Sequence, residues 1–207
     1  MTRQAEAKLL EFLTSNENLP FVVQILQQGK QIRKLFLSQF WTDLHRYLQE
    51  NIPSIPELPA SMEWVTPGDG EIDSKHTSLR YRNSGLAQRQ YLSYAVYHER
   101  SGEGLHLSVC IVWEHDTSAD SSPYALKSVK ELEKRFVSAD FKKGRWWFRH
   151  KEITQFASVE DFLASIITCE KDTLLRQIGD SFWSLVGETL NMVTKANEEI
   201  AGACRNS

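Results

Sequence analysis

The sequence is short of the features that announce chemistry. It has three cysteines, Cys110, Cys169 and Cys204, which stand far apart. None belongs to a C-x-x-C pair or a spaced Cys/His set, so a structural zinc site is not indicated and the thiols read as reduced in a cytoplasmic protein. The ten glycines are dispersed, with neither a P-loop nor a dinucleotide fingerprint, and no cofactor is expected. No apolar run reaches membrane-spanning length, and Met1-Thr2-Arg3-Gln4-Ala5-Glu6 leads into an amphipathic pattern without an apolar signal core; no membrane partner is expected. Nor does one sign of charge dominate. With 24 basic and 27 acidic residues the net charge is -3, so no global field draws the chain to nucleic acid or anionic lipid, and any such binding must be local.

What is present builds a core. Apolar residues make up 41% and charged residues 25%, with six Trp and ten Phe, which suffices to close one substantial domain in 207 residues without staples. Ala5, Leu9, Phe12 and Leu13 recur at helical spacing until the polar cluster Ser15-Asn16-Glu17-Asn18. Pro20 opens a short helix bearing Phe21, Val22, Ile25 and Leu26, with Gly29 as its stop. A further helix runs from Lys30 to about Asn51 with Ile32, Leu35, Phe36, Phe40, Leu44, Tyr47 and Leu48 as its apolar stripe. Pro53, Pro56 and Pro59 make 52–60 an extended linker. The chain therefore divides into a helical segment, 1–51, packed as one unit with an α+β domain, 61–201, and a frayed tail, 202–207.

Within that domain, Met62 to Val65 and Thr77 to Arg82 read as short strands. Tyr91 to His98 and Leu105 to Glu114 form an antiparallel hairpin whose Leu105, Leu107, Val109, Ile111 and Trp113 face the core. Ser122-Pro123 opens a helix carrying Leu126, Val129, Leu132 and Phe136, and Gly144 restarts extended structure through about Ile153. Ser158 and Asp161 cap a helix over 159–167, and a long helix from about Asp172 to Glu199 follows, with Gly187 as its expected break. The expected fold class is α+β: an antiparallel β-sheet flanked by N-terminal and C-terminal helices.

Five cations and three aromatics crowd into Lys142-Lys143-Gly144-Arg145-Trp146-Trp147-Phe148-Arg149-His150-Lys151. In a regular strand, period-2 geometry places Arg145, Trp147, Arg149 and Lys151 on one face and Trp146, Phe148 and His150 on the other. A basic face with a central indole suits phosphates and stacked bases, and equally suits a half-buried strand whose long cations reach the rim. Lys30, Arg33 and Lys34 form a second cationic patch near the predicted start of a helix. There they repel one another and oppose the helix dipole, which adds weight to an anionic partner, although a plain solvated face remains the leading reading.

An enzymatic alternative rests on Asp73-Ser74-Lys75, a D-x-K element of the kind metal-dependent nucleases use to hold a divalent ion, with Asp69 as the upstream acid. These acids lie in a Gly/Pro-rich turn region, where a solvated loop is the competing reading. The six histidines, 45, 76, 98, 106, 115 and 150, do not have ligand-set spacing, although His98 and His106 are placed to face one another near the hairpin end. No Ser or Cys stands in a nucleophile elbow.

The run Gln39-Phe40-Trp41-Thr42-Asp43-Leu44-His45-Arg46-Tyr47-Leu48, the hairpin sheet, the helix from Leu126 to Phe136, the Trp146-Trp147 strand and the closing helices together resemble the non-catalytic C-terminal region of prokaryotic proteins in the PD-(D/E)XK nuclease superfamily, over about 30–200. The resemblance lies in aromatic landmarks without catalytic signatures, and it implies a recognition or regulatory module linked to restriction or phage defence. The expected function is a non-catalytic macromolecule-binding module contacting an acidic protein or nucleic acid through Arg145, Trp147, Arg149 and Lys151. The alternatives are a nucleic-acid-binding protein and a minimal divalent-metal-dependent nuclease using Asp69, Asp73 and Lys75.

Overall fold

The computed structural model describes residues 8, 11–15, 17–55, 58–68, 70–86, 91–102, 104–114, 123–136, 141–143, 147–168 and 170–203. Five strands, β1 (Met62–Val65), β2 (His76–Asn83), β3 (Tyr91–Ser101), β4 (Gly104–Glu114) and β5 (Trp147–Phe156), form one antiparallel sheet in chain order. The helices are α1 (Leu19–Glu50), α2 (Lys127–Arg135), α3 (Val159–Ile167) and α4 (Lys171–Ala203). The fold class is α+β, with the expected sheet between N- and C-terminal helices.

The β3–β4 hairpin pairs without a slip from Tyr91↔Glu114 to Ser101↔Gly104. Gly102 takes a φ of 63° in its turn, a conformation open to glycine and costly for a residue with a Cβ. Alternation along β4 buries Leu105, Leu107, Val109, Ile111 and Trp113 on the helix-covered face, as their spacing predicts. Opposite them, α4 contributes Phe182, whose ring lies 5.4 Å from Trp64 and 5.2 Å from Trp183. Asn197 of α4 supplies a hydrogen bond the sheet leaves open. Its Oδ1 accepts from the Leu92 N–H at 2.7 Å and its Nδ2 donates to the Leu92 carbonyl at 2.9 Å, just past the last β2–β3 pair, Tyr81↔Tyr94.

Three element boundaries depart from sequence expectation. α1 runs through Gly29, because one helical glycine costs only about 1 kcal/mol relative to alanine and does not by itself end a helix. α4 likewise passes Gly187 without a break. The helix expected to open at Ser122-Pro123 begins at Lys127 after a 3₁₀ turn, Pro123–Ala125. Its N-terminus is capped from outside: the Glu199 carboxylate accepts from the Ser128 N–H at 2.8 Å and the Lys127 N–H at 3.2 Å. For α3, Ser158 Oγ accepts from the Asp161 N–H at 3.0 Å, the cap the sequence indicates.

Candidate functional site

β5 is not a regular strand, and this decides where its residues go. Its register against β4 shifts at Ile111/Val112 and at Leu107/Ser108, so Phe148 and Ile153 are extra residues between paired positions. Across the first bulge, Phe148 and Arg149 both turn toward the helices, while Trp147 and His150 share the opposite face with their rings 4.4 Å apart. The expected face of Arg145, Trp147, Arg149 and Lys151 is therefore not assembled. Arg145 lies outside the described residues. Arg149 is buried, donating to Glu133 of α2 at 2.7 Å and to the Phe148 carbonyl at 2.9 Å. Burial pushes the Glu133 carboxyl up, but the bond from Arg149 and the charge of Lys143 reverse this and leave it below the usual carboxylate range. Lys151 is exposed on the helix side, over a groove of about 440 Å³ bordered by Phe136, Phe141 and Glu188.

The second cationic patch is also divided. Arg33 donates to Asp73 at 2.9 Å, and Arg100 of β3 reaches the other oxygen of the same carboxylate at 2.5 Å, tying α1 to the sheet. Lys30 and Lys34 form no ion pair among the described residues, and Lys30 is exposed. For the nuclease alternative the consequence is direct. Burial raises the Asp73 carboxyl and the two arginines more than offset it, so Asp73 is a charged clamp with both oxygens engaged, not an open ligand. Lys75 points to solvent and Asp69 lies outside the described residues. Among the described residues no group of three His, Cys, Asp or Glu side chains is placed to hold a metal ion.

What the strands do bring together is a cleft of about 190 Å³ on the face opposite the helices, lined by Tyr97, Glu99, His106, Trp147, His150 and Glu152. The Trp147 indole is half-buried, packed edge-on against the Tyr97 ring at 4.7 Å. Tyr97 also bonds His76 Nδ1, and burial pushes its phenol above the ordinary tyrosine range. His106 Nδ1 pairs with Glu152 at 2.8 Å. Burial holds the His150 imidazole below its usual pKa, and its buried Nδ1 has no hydrogen-bond partner among the described residues. Ser101 and Ser108 line the same cleft, and neither bonds an imidazole among the described residues. The arrangement offers flat apolar surface and two carboxylates, of which Glu152 is paired with His106.

The sequence singles out Trp147 but not its neighbours. His98 pairs with Leu107 and Glu99 with His106, so the two histidines expected to face each other lie on opposite sides of the sheet. The usable signal is alternation across the hairpin, which puts Tyr97, Glu99 and His106 on one face. No described helix is long and apolar enough to cross a membrane. No family model, curated protein or solved structure matches the chain.

Proposed function

We propose that the chain is a non-catalytic binding module whose partner is a protein segment docking on the open sheet face at the Trp147 cleft. The observation that carries this reading is the half-buried indole held between Tyr97 and His150 in a cleft with no described helix over it. Aromatic side chains fixed at a partly desolvated position are the usual anchors of protein recognition. Charge favours protein over nucleic acid. Glu99 and Glu152 border the indole, whereas Arg149 is committed to Glu133 and Lys151 lies on the other face. A segment with an apolar anchor and a flanking cation fits this chemistry better than phosphate does. The sequence resemblance to non-catalytic regions of PD-(D/E)XK-superfamily proteins supports recognition without cleavage and extends the proposal to restriction or phage defence.

The test is affinity capture followed by titration of the identified partner, using wild type, Trp147→Ala and Glu152→Gln, with circular dichroism to verify the fold. Trp147→Ala weakens binding by about 30-fold or more, and Glu152→Gln weakens it less. Salt-steep oligonucleotide binding lost in Arg149→Ala, or Mg²⁺-dependent cleavage lost in Asp73→Ala, would overturn the reading.

A further inference from the structure

The first half of α1 carries a second apolar row that none of the described residues covers. Leu37, Phe40, Trp41, Leu44 and Leu48 form the buried stripe that docks the helix. By helical spacing, Phe21, Ile25, Ile32, Leu35 and Phe36 lie on the opposite side, and they are 64%, 62%, 40%, 69% and 38% exposed. We propose that this row is the seam of a homodimer, in which two copies of α1 pair antiparallel about the bond between Gln28 and Gly29.

Two observations select a second copy over other occupants. The row follows a four–three spacing, Phe21, Ile25, Gln28, Ile32, Leu35, the pattern of a helix–helix seam. With Phe36 it is symmetric about the bond between Gln28 and Gly29, so an antiparallel copy sets Phe21 against Phe36 and Ile25 against Ile32, the self-complementarity a two-fold interface requires.

Lys30, Arg33 and Lys34 are the only charged residues between Leu19 and Thr42, and the row through Leu19 and Val23 runs into two of them, which leaves the Phe21 row as the uncharged one. A lipid surface fits less well, since the cations lie on the side away from the seam and Arg33 is held by Asp73. Burying these five side chains on both copies removes on the order of 1,000 Å², the lower bound for a specific interface.

Sedimentation equilibrium of the full chain tests the proposal. Wild type is a dimer, and Ile25→Asp and Leu35→Glu each raise the dissociation constant about 100-fold or more while circular dichroism is unchanged, since both side chains are mostly exposed. Phe21→Cys combined with Phe36→Cys forms an intersubunit disulfide that Phe21→Cys alone does not. A wild-type chain monomeric at about 0.1 mM, a dimer indifferent to both charged variants, cross-linking by Phe21→Cys alone, or monomers that pellet with phosphatidylserine vesicles would each overturn it.

Discussion

α1 and α4 are nearly equal in length, 32 and 33 residues, yet they are used differently. α4 buries side chains from Leu174 to Ala201, while α1 buries none of its described side chains before Leu37. Both have helical apolar periodicity, and what separates them is what lies opposite. α4 crosses a sheet that presents Leu79, Tyr81, Tyr94, Val96 and Val109, whereas the first half of α1 meets the fold chiefly through Arg33 and Asp73. Periodicity shows that a face is apolar; the partner determines whether that face is core or interface.

The contrast is sharpest in two phenylalanines. Phe182 is fully buried among Trp64, Tyr81, Tyr94 and Trp183, so Phe182→Ala removes a large ring from a packed aromatic cluster and costs about 3–5 kcal/mol in urea unfolding. Phe21→Ala changes the stability of dilute, dissociated chains by no more than about 0.5 kcal/mol. Similar losses at both sites would show that the exposed half of α1 is held by the fold after all.

Acid probes the docked half of α1. His98 is 1% exposed, packs against Trp41 at 5.7 Å between ring centroids and contacts the Ser74 carbonyl at 3.2 Å. Burial pushes its pKa down to about 4 from an ordinary value of 6.5, with the neighbouring Arg100 adding to the shift. Between those values the unfolded chain binds a proton that the folded chain refuses, so stability falls as pH drops from about 6.5 toward 4, by roughly 3 kcal/mol. His45 and His150, also lowered by burial, act in the same direction. Asp73 and Glu133 lose their contribution only at lower pH, because their carboxyls are held below the usual range. Unfolding curves collected over this range should flatten in His98→Gln; identical slopes in wild type and variant would refute the assignment.

Most of the fold is legible in the sequence because its signals are local. Alternation from Leu105 to Trp113, the linker prolines and the Ser158 cap each act within a few residues. The candidate site is less legible because it depends on one extra residue. Nothing in Trp147-Phe148-Arg149-His150 marks a bulge, since the usual glycine is absent, yet inserting Phe148 moves Arg149 to the helices and leaves Trp147 beside His150. The clamps are illegible for another reason. Arg33 and Asp73 are 40 positions apart, and Arg149 and Glu133 are 16 apart, so surface cations read from sequence become internal ion pairs only after folding. A stripe such as Phe21, Ile25, Ile32 and Leu35 can be read, but its exposure cannot.

The smallest effects come from two glycines within α4, and their opposite signs locate where the long helices touch. A Cβ on Gly179 would lie 2.5 Å from Tyr47 Cε1 of α1, closer than carbon atoms pack, and the ring is wedged beside Leu48. A Cβ on Gly187 meets nothing within 4 Å. Alanine ordinarily favours a helix over glycine by about 1 kcal/mol, so Gly187→Ala should stabilise by up to that amount. Gly179→Ala should instead destabilise by about 1–2 kcal/mol, because α1 must shift to admit the methyl group. The cause can be isolated with a double-mutant cycle. In a Tyr47→Ala background the clash is gone, and Gly179→Ala should revert to the mild gain of Gly187→Ala. If the penalty persists without the Tyr47 ring, the close approach of α1 and α4 is not what requires glycine at that position.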